Sequence, residues 1–123
     1  MPESEHWRLF FYQDSHQRLP VQDWLKGLNT QDEARVFQYF ELLKEFGLQL
    51  KEPYTRHLHE KIWELRIPSG GSAYRVLYFA APDGVKRFIL VHAFTKTTRK
   101  TPKREIKIAV ERYEDWLHRN KEK

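Results

Sequence analysis

Three apolar segments in close succession, residues 62–67, 73–79 and 87–94, restrict the fold of this chain more than any other feature. Each is short and rich in β-branched and aromatic side chains. The links between them hold only Pro68-Ser69-Gly70-Gly71-Ser72 and Ala81-Pro82-Asp83-Gly84 as turn-forming sequence. Connections this short leave no room for a crossover helix, so consecutive strands must pair antiparallel in a meander.

Helical signals surround that meander. Residues 7–12, aromatic and bounded by polar residues, read as an earlier strand. Pro20 suits the first turn of a short helix, where its missing N–H costs nothing, and Val21, Trp24, Leu25 and Leu28 recur at helical spacing. Thr30-Gln31-Asp32-Glu33 fits a capping box, with Phe37, Phe40, Leu43 and Phe46 following until Gly47 offers a left-handed stop. A loop including Pro53 then runs to about Leu58. Thr101 reads as the cap of a last helix and Pro102 as its first residue; Ile106, Ala109, Val110, Tyr113, Trp116 and Leu117 form its apolar stripe, which ends near Asn120. The expected class is α+β: a small, mainly antiparallel four-stranded sheet, a helical hairpin after the first strand, and a C-terminal helix. With 123 residues, 40% of them apolar, the chain can bury one core, so residues 1–123 are read as a single domain.

Charge is distributed unevenly. From Lys86 to Lys123 there are twelve Lys and Arg against five acids, a net of +7, whereas residues 1–85 carry ten against twelve, a net of −2. A basic C-terminal third fits a polyanionic partner. The absence of cysteine removes disulfides, thiolate nucleophiles and thiolate zinc sites, and suits a reducing cytoplasm. No stretch approaches the roughly 20 apolar residues of a membrane span, and the first residues lack the basic and apolar runs of a leader. The expected location is the cytoplasm.

Strand alternation gathers the chemistry. If Trp63, Leu65 and Ile67 face the core, Glu64 and Arg66 point together to the opposite face. Arg75 shares a face with Leu77 and Phe79, which the last helix can cover while leaving the arginines at its margin. Either these three form a cross-strand ion network or the arginines hold a phosphate, because an isolated buried arginine is costly. A basic run of Lys96, Arg99, Lys100, Lys103, Arg104 and Lys107 contains only Glu105 as a counter-charge. Such a run is usually a solvated helix face, yet Lys103 and Arg104 fall in a first turn, where the helix dipole disfavours cations and favours a bound anion. His57 and His59 are candidate proton-transfer groups near neutral pH, and His92 reads as a hydrogen-bonded interior or sheet-face residue. No spacing of His and carboxylates suggests a metal site, and no glycine-rich phosphate loop follows a strand.

Taken together, Trp63-Glu64-Leu65-Arg66-Ile67, Ala73-Tyr74-Arg75-Val76-Leu77-Tyr78-Phe79 and the run from Val91 through Phe94-Thr95-Lys96 to Lys100-Thr101-Pro102, with Glu105-Ile106 and Ala109 beyond, resemble the phage-derived HigB-like branch of the RelE/ParE toxin superfamily. The resemblance implies a type II toxin that enters the ribosomal A site and cuts translated mRNA without metal or other cofactor. It also implies a HigA-like antitoxin partner with a helix-turn-helix domain. In such a chemistry the ribose 2′-hydroxyl attacks the adjacent phosphorus, and cations stabilise the charge that grows there. By the resemblance, Arg66 and Arg75 hold the scissile phosphate. Lys96 and Lys100 add charge or protonate the leaving oxygen, and Glu64 orients Arg66 or assists proton transfer. Arg99, Lys103, Arg104 and Lys107 would carry further RNA contacts. Family members often have a lysine near His57 and a second one at Thr97; their absence here makes His57 a candidate base. Two other functions share these features: a ParE-like inhibitor of DNA gyrase, and a non-catalytic nucleic-acid-binding module.

Overall fold

The chain runs β1 (Arg8–Phe11), α1 (Pro20–Lys26), α2 (Thr30–Phe46), a single 3-10 turn (Gly47–Gln49), β2 (Thr55–His59), β3 (Ile62–Ser69), β4 (Ser72–Ala80), β5 (Arg87–Lys96) and α3 (Lys103–Asn120). The structure, a computed structural model, describes residues 6–70, 72–97 and 99–121. As the short connections require, β3 pairs antiparallel with β4 and β4 with β5. β1 lies parallel to β5, from Arg8 opposite Arg87 to Phe11 opposite Leu90. β2 lies antiparallel to β3 at the other edge, giving the order β1-β5-β4-β3-β2.

The sheet is therefore five-stranded and mixed, where four mainly antiparallel strands were expected. β2 carries no apolar alternation: Thr55 alone is buried in Thr55–His59, and the rest is an exposed or half-exposed edge. A polar, basic edge protects a sheet against pairing with other chains and hides the strand from hydrophobic pattern reading. What fixes β2 is tertiary. It pairs with β3, and the Thr55 hydroxyl donates to the Leu50 carbonyl at 2.7 Å.

Both faces of the sheet are covered, so the central strands read as almost continuous apolar runs. On one face Leu65, Ile67, Val76, Tyr78, Phe88 and Leu90 pack with Val21 and Leu25 of α1 and Val36, Phe40 and Leu43 of α2. On the other, Ile62, Leu77, Phe79, Ile89 and Val91 meet Ala109, Val110, Tyr113 and Trp116 of α3. Phe79 meets Tyr113 and Trp116 edge to face at 4.7 and 5.4 Å. The α2 stripe differs from expectation. Val36, Phe40 and Leu43 are its buried residues, whereas Phe37 and Phe46 remain almost half exposed on either side. Its cap is Asn29 rather than Thr30: the Asn29 side-chain oxygen accepts from the Asp32 N–H at 2.7 Å. Pro102, not Thr101, caps α3.

Gly47 stops α2 at φ 55°, as its sequence position suggested. A Cβ there would come within 2.4 Å of the Trp7 indole nitrogen, and Trp7 cannot retreat easily because its ring stacks on Phe88 at 4.3 Å. Strained backbone and overpacking add, so Gly47→Ala is expected to destabilise the fold by about 2–5 kcal/mol. Urea unfolding measures this, and an unchanged midpoint would contradict the contact.

Between Leu77 and Tyr78 the β4–β5 register shifts: Leu77 faces His92 and Tyr78 faces Leu90, leaving Val91 as an extra residue. This bulge turns His92, Phe94 and Lys96 toward the α3 side of the sheet.

Candidate active site

Alternation along four adjacent strands brings one row of charges to the α3 face beyond the start of that helix. Arg56 of β2 lies opposite Glu64 of β3, Arg66 of β3 opposite Arg75 of β4, and Arg75 opposite Phe94, two residues before Lys96 on β5. Glu64 is the centre, its side chain only 2% exposed. Its Oε2 lies 3.7 Å from Arg66 Nε and its Oε1 lies 3.6 Å from Arg75 Nε. Thr101 Oγ1 donates to the same Oε1 at 2.6 Å, which ties the basic segment before α3 onto the sheet.

The two arginines are held but not satisfied. Separations of 3.6–3.7 Å give coulombic attraction without a hydrogen bond, and the Nε atoms of Arg66 and Arg75 are buried with no hydrogen-bond partner. Arg75 Nη1 is anchored on the Tyr74 carbonyl at 3.0 Å. Its side chain is 8% exposed, against 26% for Arg66, so an anion arriving from solvent meets Arg66 first. Burial holds the Arg75 guanidinium below its ordinary range; Glu64 opposes this, and Arg66 and Arg56 add to it. Burial, followed by the charge of Arg75, also pulls Lys96 below the usual lysine range. Three cations (Arg66, Arg75 and Lys96) thus face one buried carboxylate. An added anion would relieve that imbalance.

Of the residues singled out in the sequence, Glu64, Arg66, Arg75 and Lys96 converge. Lys96 Nζ donates to the Arg99 carbonyl. Arg99, Lys100 and Thr101 then border, with Arg56 and Glu64, a hollow of about 220 Å³. Lys103, Arg104 and Lys107 are exposed on the first turns of α3, where Arg104 lies 3.5 Å from Glu105.

His57 does not join them. It borders the hollow, but strand alternation sends its ring away from Arg56 to the other face, edge-on to Trp63 at 5.1 Å. There Nε2 donates to the Glu60 carbonyl at 2.6 Å. The cation that does reach the row from β2 is Arg56, which also faces Glu52 at 3.7 Å on the exposed rim. Sequence reading passed over Arg56 because parity has no meaning until β2 is known to be a strand. Thr101 was passed over because its hydroxyl was assigned to a helix cap.

Residues 23–114 match the family described as phage-derived protein Gp49-like (DUF891). The chain belongs to this family. It is a family of RelE/HigB-like toxins, and the match runs from α1 into α3, covering every residue of the charged row. No curated protein matches the chain.

In this Gp49-like protein His92 fixes the approach of α3, in keeping with its expected sheet-face role. Its Nε2 lies 2.5 Å from Glu105 Oε1, and Arg112 donates to the Val91 carbonyl at 2.7 Å beside the other ring nitrogen. Burial keeps His92 below the ordinary histidine range despite Glu105, with Arg112 adding to the effect. Among the described residues, no group of three or more His, Asp or Glu is placed to hold a metal ion, and no helix is long and apolar enough to cross a membrane.

Proposed function

We propose that this Gp49-like protein is the toxin of a type II toxin–antitoxin pair and cuts mRNA on the ribosome as a metal-independent endoribonuclease. The observation that carries the reading is the arginine pair from adjacent strands, held beside one buried carboxylate that attracts both guanidiniums without hydrogen-bonding either. Donors fixed before substrate arrives need no reorganisation as charge develops on a phosphorane, the arrangement that electrostatic catalysis requires.

In the reaction the ribose 2′-oxygen bonds to phosphorus and the bond to the 5′-oxygen breaks, giving a 2′,3′-cyclic phosphate and a 5′-hydroxyl end. Arg66 and Arg75 take the non-bridging oxygens. Lys96, made a stronger acid by burial and by Arg75, donates a proton to the departing 5′-oxygen. Glu64 is buried beside both guanidiniums and accepts from Thr101, so it positions the arginines, and the 2′-hydroxyl proton leaves through water. Arg56 supplies a cation close to where the resemblance expects a lysine. Arg99, Lys100, Lys103, Arg104 and Lys107 add long-range attraction for the message and the surrounding rRNA. A HigA-like antitoxin silences the protein by laying an acidic segment over Arg66, Arg75 and Lys100.

Inducible expression in bacteria, with growth followed and 5′-hydroxyl ends mapped across translated messages, tests the reading. Codon-phased cuts accompanying growth arrest are expected. Arrest with no such cuts and with lost DNA supercoiling would replace the ribonuclease by a gyrase inhibitor.

The role of Lys96 has its own signature. A general acid must be protonated, so cleavage by programmed ribosomes should fall as pH rises through the Lys96 pKa, beginning below the ordinary lysine range. Lys96→Arg, which keeps its proton, should be slower and lose that alkaline limb. Persistence of the same limb in the variant would remove Lys96 from the proton transfer.

A further inference from the structure

Beside the arginine pair lies a second hollow, of about 270 Å³, bordered by Tyr39, Pro53, Tyr54, Arg66 and Arg75 among others. It shares its two guanidiniums with the proposed phosphate grip, and its other walls are the two tyrosines, two prolines and Ala73. Tyr54 is 38% exposed, a large ring left open to solvent at the end of a charged row. Tyr39 of α2 is only partly exposed and packs against the core.

The backbone that carries Tyr54 is held in place. The Arg66 N–H donates to the Tyr54 carbonyl at 2.8 Å, which pins Tyr54 beside the arginine, and the Tyr54 N–H is bound to the Lys51 carbonyl at 2.9 Å. The two ring centroids lie 6.1 Å apart with planes tilted by 52°, so they do not cover each other as a parallel stack would. Flat ring faces beside fixed guanidiniums are how sequence-tolerant single-strand sites are built: cations follow the phosphates and bases stack on the aromatics.

We infer that Tyr54, backed by Tyr39, is a stacking shelf for the nucleobase next to the phosphate held by Arg66 and Arg75. The inference rests on the nucleic-acid reading of that pair, though not on cleavage. It gives the site a ligand class, unstacked single-stranded RNA, and makes Tyr54 a binding residue. An apolar side chain of a protein partner would use the rings but not the excess positive charge of Arg66, Arg75 and Lys96, which favours a nucleotide.

The test is binding of a short single-stranded RNA with 2′-O-methyl riboses, which cannot be cut, compared with the same strand lacking one base. The unaltered protein should bind the complete strand about 5- to 150-fold more tightly, the range set by one stacked base. Tyr54→Ala should erase that difference, and Tyr54→Phe, which keeps the ring, should retain it. Equal binding of both strands by the unaltered protein, or a difference that survives in Tyr54→Ala, would overturn the shelf and point to a protein ligand for the rings. Base-dependent binding without cuts in cellular messages would uphold the shelf and remove only the endoribonuclease.

Discussion

Arg75→Ala is expected to lower mRNA cleavage by about 100-fold or more, the loss found when one preorganised donor to a developing oxyanion is removed. Arg75 has the position for so large an effect. Its side chain is 8% exposed, Nη1 is fixed on the Tyr74 carbonyl, and Nε is unfilled. Lysine should rescue little, because an ammonium is a point charge that cannot donate to Tyr74 and to a phosphate in the same plane. Quantifying 5′-hydroxyl ends per ribosome for both variants, at matched levels of folded protein, measures this. Cleavage within a few-fold of the unaltered protein would move the chemistry away from this row.

Glu64→Ala should give the largest loss of stability in the site, about 3–5 kcal/mol, because it leaves two guanidiniums at the sheet surface without their carboxylate. The 2% exposure of Glu64 and its bond from Thr101 mean that water cannot simply take its place. Sulfate or phosphate should restore part of the loss, since a bound anion stabilises the state that holds it. Chloride at equal ionic strength should restore less. Thermal unfolding of the variant with and without sulfate makes the comparison, and a loss below about 1 kcal/mol would reduce Glu64 to an ordinary surface partner. Glu64→Gln separates charge from shape. It can keep the Thr101 contact, so any stability it loses reports the coulombic part.

The meander and the α3 stripe were legible because each rests on many residues agreeing over a short span. The apolar segments, turn sequences and helical spacing all point to the same elements. What escaped depends on partners distant in sequence. β2 is a strand only because β3 offers it an edge, and β1 has no local sign that its neighbour will be β5. Asn29 rather than Thr30 is the cap because its side chain and Asp32 bond each other in both directions, while the same Asp32 carboxylate accepts from the distant Ser69 and Tyr74 at 2.5 and 2.6 Å. In the site, Glu64, Arg66 and Arg75 followed from parity along well-patterned strands. Lys96 reached their face through a bulge at Val91 that hydrophobicity does not announce. The face on which the His57 ring lies could not be read in advance, for want of the same parity in β2.

Thr101 and Glu64 stand 37 residues apart, and β5, which separates β1 from β4 in the sheet, is the last strand to be made. During synthesis, Arg66 and Arg75 leave the ribosome before the strand that completes their sheet and before the hydroxyl that anchors the basic segment to Glu64. A nascent chain therefore carries these two guanidiniums without their finished surroundings until β5 and Thr101 have both emerged.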